Sequence, residues 1–192
     1  MVRRAVIHAL TGRAVRLLRR LFCDRSGVAA VEFALLLPIM LSLYIGGLEI
    51  SDGFTIKRKV TNTTSALGDL VTRTEEISTA EMTDILEAAS AVIVPYDVGK
   101  LKIKVSEVYV DSKSVAKVVW SAAQNDTAFA KGATVALPDG VDLPDSFLIV
   151  TEVHYNFDPA LGYVFTGSID VNDTFYLKPR LSDSICYNGV CS

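Results

Sequence analysis

Between Val28 and Leu48 the chain has 21 residues and a single charge, Glu32. A helix rises about 1.5 Å per residue, so this run spans roughly 30 Å, the hydrocarbon thickness of a bilayer. It is too long for the apolar region of a secretory signal, and no Ala-x-Ala site follows Leu48. The expectation is one membrane crossing near the N-terminus. The lone carboxylate admits two readings. Glu32 is either a tolerated residue, snorkelling or protonated, or a group that seeks a partner, which is the default for an ionisable side chain inside a span.

Charge divides the chain at this run. Residues 1–27 hold seven Lys/Arg and one Asp, and residues 28–192 hold twelve Lys/Arg and 21 Asp/Glu. A cationic segment before an apolar helix stays in the cytoplasm, so the remainder is expected outside it. Lys57, Arg58 and Lys59 follow the span and weaken that bias without reversing it. The acidic remainder argues against a nucleic-acid surface. The domain reading is a basic leader over 1–27, a transmembrane helix over 28–50 and an extracytoplasmic α+β domain over 51–192. Within the leader, Val15, Leu17, Leu18, Leu21 and Phe22 alternate with Arg13, Arg16, Arg19 and Arg20. That spacing allows a basic amphipathic helix on an anionic membrane, or else an unstructured leader.

One long helix is predicted from 28 to about 73, with a bend or unwound turn at Pro38. Phe54, Ile56, Val60, Ala66, Leu67 and Leu70 partly follow helical spacing beyond the span. The run Thr61-Asn62-Thr63-Thr64-Ser65 forms helix weakly and must be held by packing. Ser78 and Glu81 have capping-box spacing. They start a second helix whose face carries Met82, Ile85, Leu86, Ala89 and Val92 and which stops before Pro95.

Strand patterns begin at Leu101. Leu101, Ile103 and Val105 alternate with polar residues, and the apolar phase then shifts to Val108 and Val110. A bulge near Ser106-Glu107 would account for the shift. Val115–Trp120, Phe147–Phe157, Tyr163–Phe165 and Asp173–Leu177 complete a small antiparallel sheet. Residues 124–140 read as a loop region. Thr151, Val153, Tyr155 and Phe157 share one face of the strongest strand, and Glu152, His154 and Asn156 share the other.

Little here suggests catalysis or metal binding. His154 stands alone on a strand and reads as an outward polar residue. Asp139, Asp142 and Asp145 crowd one loop without EF-hand spacing and read as a solvated acidic turn, with a weak calcium site as the alternative. No phosphate-binding glycine loop and no nucleophile elbow occurs. The reading is therefore no enzyme, no catalytic residue, no cofactor and no metal, with neither nucleic acid nor a small-molecule substrate as partner.

Cys186 and Cys191 enclose Tyr187-Asn188-Gly189-Val190. Asn-Gly is a tight-turn signal that would bring the two Cα atoms within disulfide reach, under about 7 Å. Two free thiols and an intersubunit bridge are the alternatives. Cys23 lies in the leader, on the reducing side.

The segment Asp24-Arg25-Ser26-Gly27-Val28-Ala29-Ala30-Val31-Glu32-Phe33-Ala34-Leu35-Leu36-Leu37-Pro38 resembles the processing site of the TadE-like family, minor pilins or pseudopilins of tight-adherence pili. Val119-Trp120-Ser121, Lys131 to Pro138, Ser146 to Tyr155 and Phe175 to Arg180 resemble, in order, landmarks of that family's soluble domain. The resemblance implies a pilin-like α+β fold, with a long, partly transmembrane helix and a second helix packed on the sheet. It implies a cut by a membrane-embedded prepilin peptidase between Gly27 and Val28. It assigns assembly and processing to Glu32, which becomes the fifth mature residue, and to Phe33. It implies a single-pass protein of the bacterial inner membrane, N-terminus cytoplasmic and C-terminal domain periplasmic, that can reach the cell surface after assembly. The implied partners are the peptidase, other pilins, the inner-membrane assembly platform and membrane lipid. The alternative is an unprocessed single-pass anchor presenting a periplasmic interaction domain to a secretion or pilus machine.

Overall fold

The computed structural model describes residues 26–159, 162 and 167–191. The expected leader helix, Cys23 and the Tyr163–Phe165 strand lie outside them. The chain divides into two units, Met1–Leu48 and Glu49–Ser192. Helix α1, Ser26–Thr72, runs through the division.

The described part of the first unit is helix alone. It runs unbroken through Pro38, so the expected unwound turn is absent there. Proline lacks the N–H that would bond one turn back, and the Ser42 hydroxyl donates to the Pro38 carbonyl at 2.7 Å. Val31, Leu35, Leu36, Ile39, Leu43 and Leu48 are among the large apolar side chains exposed along it. This helix is long and apolar enough to cross a membrane.

The second unit is α+β. The remainder of α1 buries Ile56, Val60, Thr63, Thr64, Leu67 and Val71, a stripe at successive helical turns. Phe54, Ala66 and Leu70, expected to share that stripe, are exposed instead. The two threonines hold positions where apolar residues were sought. Thr64 remains compatible with the core because its hydroxyl donates to the Val60 carbonyl at 2.8 Å.

Strand β1, Glu76–Ile77, leads into helix α2, Thr79–Ala91. The capping box is complete. The Glu81 N–H donates to the Ser78 hydroxyl at 3.2 Å, and the Ser78 N–H donates to the Glu81 carboxylate at 2.9 Å. The Ser78 hydroxyl also donates to that carboxylate, at 2.8 Å, and the two bonds it accepts from Ser78 hold the Glu81 carboxyl below its ordinary range. Met82, Leu86 and Ala89 are buried, whereas Val92 is the C-cap and faces out.

Five strands form one antiparallel sheet: β2 Leu101–Val110, β3 Ala116–Gln124, β4 Thr134–Val135, β5 Ser146–Phe157 and β6 Ile169–Leu177, in the order β4-β3-β2-β5-β6. The expected bulge takes a different form. Pairing of β2 with β5 is continuous from Leu101 to Val110, so β2 keeps its pleat. The register breaks in the β2–β3 ladder, between Glu107 and Val108, where Val119 of β3 is the extra residue. The apolar phase shifts because the sheet has a core on each face. Leu101, Ile103 and Val105 pack with α1 and α2. Val108, Val110, Ala116, Val118, Leu148 and Val150 form a smaller core on the opposite face, under Phe129, Val135, Leu137 and Val141 of the long loop. Strand β7, Cys186–Tyr187, pairs parallel with β1, a contact the sequence pattern did not announce.

Candidate functional site

Gly27, Val28, Glu32 and Phe33 all lie on the first turns of α1, and all four are exposed. Val28 and Glu32, four apart, share a helix face about one turn from each other. No side chain is brought onto them by the described fold. Gly27 is informative for that reason. A Cβ built there would meet nothing within 4 Å, and its backbone is helical. Neither packing nor an unusual φ therefore calls for glycine at this position. A requirement for a small residue has to come from something that approaches the chain. Glu32 has no basic residue within two helical turns on its C-terminal side, so the helix itself offers its carboxylate no cation there.

At the other end of the chain Asn188 and Gly189 both have positive φ, 51° and 77°. This is the conformation of the tight turn that Asn-Gly favours. Tyr187 and Val190 exchange backbone hydrogen bonds across it at 3.0 and 2.9 Å. The Cys186 and Cys191 sulfurs are bonded, with Cα atoms 4.4 Å apart.

The tail is joined to the sheet by a group that pattern reading passed over. Glu107 is buried on the helix-covered face of β2, and its Oε1 accepts the Ile185 N–H at 2.7 Å. Trp120 Nε1 donates to the Ile185 carbonyl, also at 2.7 Å. The Trp120 and Tyr187 rings lie 5.2 Å apart. Oε2 of Glu107 has no hydrogen-bond partner among the described residues. Burial pushes this carboxyl up to about 7, opposed by the hydrogen bond from the Ile185 N–H and by the nearby indole N–H of Trp120. The signal for Glu107 was present, since it continues the alternation Leu101, Ile103, Val105. The acidic loop is occupied with its own structure: Asp142 accepts the Gly140 N–H and Asp145 accepts the Tyr109 hydroxyl. His154 faces out from β5, as expected.

Residues 27–67 match the model of the TadE-like protein family. The TadE-like match begins at Gly27, covers the whole apolar run and continues into the part of α1 that packs on the sheet. It bears out the resemblance read from the sequence over that segment. The landmarks quoted from the soluble half lie outside the matched residues. No curated protein and no solved structure matches the chain.

Proposed function

We propose that this chain is a minor pilin or pseudopilin of a tight-adherence pilus, matured by a prepilin peptidase that cuts between Gly27 and Val28. The observation that carries the reading is where the TadE-like match starts: at Gly27, a glycine for which the fold supplies no reason. The leader stays in the cytoplasm, α1 anchors the protein in the inner membrane, and the α+β unit stands in the periplasm. Cleavage creates an amine at Val28 and makes Glu32 the fifth residue. In an assembled filament that carboxylate attracts the amine of a neighbouring subunit and sets its axial register, and Phe33 packs beside it. The partners are the peptidase, other pilus components and the assembly platform in the membrane.

The deciding experiment is mass spectrometry of the protein taken from membranes and from sheared surface material. A chain beginning at Val28 in both fractions supports the proposal, and Gly27 replaced by a bulky residue should leave the uncut chain in the membrane. A functional chain that retains the leader would instead make the protein a permanent anchor for a periplasmic interaction domain.

A further inference from the structure

Glu107 sits on β2 paired with Trp120 on β3 and Ile149 on β5, and all three are buried. The Ile185 N–H caps one carboxylate oxygen, and the Ile185 side chain is itself fully buried in the core on that face. The other oxygen, Oε2, is buried and has no hydrogen-bond partner among the described residues. No buried cation among them faces this carboxylate either. Tyr109 follows it on the same face, with Lys117 opposite in β3 and Asp145 on its hydroxyl, and both of those charges are exposed. Tyr187 lies against Trp120, and Asp183, two residues before Ile185, is exposed. The residues that α1 buries from Ile56 to Val71, and those that α2 buries, are uncharged. A neutral carboxyl tolerates one bare oxygen here. An ionised one is a buried charge short of donors, a far costlier state.

The cover over Glu107 is a separable piece of chain. Arg180 is fastened to the end of α1, its N–H donating to the Thr72 carbonyl at 2.9 Å and its guanidinium lying 2.8 Å from Asp69. Residues 181–184 follow, with Leu181 and Asp183 exposed. Beyond them, residues 185–191 are held to the rest of the fold by the two polar groups of Ile185, by the buried Ile185 side chain, and by the Cys186 and Asn188 N–H groups, which donate to the Glu75 and Ile77 carbonyls. The disulfide joins Cys186 to Cys191, so both of its ends travel with this segment and neither fastens it to the sheet. Water reaches the Glu107 carboxylate when the segment lifts.

We propose that residues 185–191 are a pH-gated strap: ionisation of Glu107 lifts them away about the 181–184 segment, baring Trp120 and the edge of β1 while the five-stranded sheet and both helices stay folded. Closed, the strap holds the carboxyl up to about 7, because burial outweighs the bond from Ile185. Open, the carboxyl is hydrated and returns to its ordinary 4.5. The closed form therefore binds the proton more tightly, and the strap opens as pH rises. Full ionisation raises the opening constant by about 300-fold, ten raised to the difference between those two values.

The test is hydrogen exchange of the full, detergent-solubilised chain, resolved to single amides and corrected for the intrinsic pH dependence of exchange. The amides to follow are those of Ile185, Cys186 and Asn188, whose acceptors lie outside the strap, with the amides of β5 as the reference for global unfolding. The strap amides should be less protected than those of β5, and their protection should fall roughly thirtyfold between pH 5.5 and 8.5. Glu107→Gln keeps the acceptor and cannot ionise, so its strap protection should stay level over that range. Trp120→Phe removes the bond to the Ile185 carbonyl and should lower strap protection at every pH without altering the profile. Strap amides as protected as those of β5 at pH 8.5 would mean that the segment opens only with the whole fold, and the proposal falls. A level profile in the parent, or an undiminished pH-dependent loss in Glu107→Gln, overturns it as well.

Discussion

Glu107 and Ile185, 78 positions apart, meet in one buried hydrogen bond, 2.7 Å from the Ile185 N–H to the Glu107 carboxylate. Trp120 accepts no part of that bond but reaches the same residue from the other side, through the Ile185 carbonyl. Both polar groups of one tail residue are thereby satisfied inside the core, and the tail is fixed to the centre of the sheet.

This arrangement makes stability depend on pH in an unusual direction for a carboxylate. The folded chain holds the Glu107 proton up to about 7, whereas an ordinary value is 4.5. Between those values the folded state binds more proton than the unfolded one, so stability falls as pH rises from about 4.5 to 7 and is level above. The loss is on the order of 3 kcal/mol. Glu107→Gln keeps the acceptor and cannot ionise. In thermal melts of the detergent-solubilised chain it should match the parent near pH 5 and melt roughly 5 °C higher at pH 8. Parallel pH profiles for the two proteins would refute this account.

Close approach of α1 to the sheet is set at Gly68. A Cβ there would lie 2.5 Å from Leu177 Cδ1 and 3.3 Å from Thr151 Oγ1. Thr151 Oγ1 also donates to the Thr64 carbonyl at 3.3 Å, so it cannot move freely. Gly68→Ala should be close to neutral, because the leucine tip can shift and alanine favours helix by about 1 kcal/mol. Gly68→Val adds a branch against Thr151 and should destabilise by about 1–3 kcal/mol. Melting temperatures of the two variants against the parent decide it, and an equal effect of both would show that the contact is not limiting.

What the sequence made legible follows from how local each signal is. The apolar run, the Ser78–Glu81 cap and the alternation in β5 depend on residues within one or two turns of one another, and each element forms as expected. The helix face beyond the span was misjudged because hydrophobicity alone put Phe54 and Leu70 inside. The packed stripe instead uses Thr63 and Thr64, small enough to let α1 approach the sheet. The phase change after Val105 coincides with an irregularity in the β2–β3 ladder, as the pattern suggested, but its cause is a change of core from one face of the sheet to the other. Nothing local announces that the loop over 125–145 covers the second face. Glu107 and the parallel β1–β7 pair depend on partners far away in sequence, and no periodicity within a strand reports those.

The C-terminal bridge closes a short loop, so in the chain-entropy account it stabilises by only about 2 kcal/mol. The tail has other attachments: the Asn188 N–H donates to the Ile77 carbonyl at 2.9 Å, and the Cys186 N–H to the Glu75 carbonyl at 3.0 Å. The double variant Cys186→Ser, Cys191→Ser should therefore still fold, with a melting point a few degrees lower. Protein isolated from an oxidising compartment should yield a peptide two hydrogens lighter than its reduced form. Complete alkylation of both cysteines without prior reduction would leave the turn held by its backbone alone.

Glu32 is the position where the proposed assembly chemistry is most exposed to test. Its carboxylate shares a helix face with Val28, and cleavage would place a charged amine within about one turn of it. In a lipid-filled or packed environment, attraction between an amine and a carboxylate on adjacent subunits is strong, although desolvation offsets much of it. Removing one partner leaves the other buried and unpaired, which costs about 2–5 kcal/mol, or more than tenfold in association. Glu32→Ala should therefore insert in the membrane and lose its leader as the parent does, yet be depleted at least tenfold from sheared surface material. Glu32→Asp should recover part of that loss, because the charge remains but its reach shortens. Quantifying the chain in membrane and surface fractions separates the outcomes, and parent-like surface levels for Glu32→Ala would show that the carboxylate takes no part in assembly.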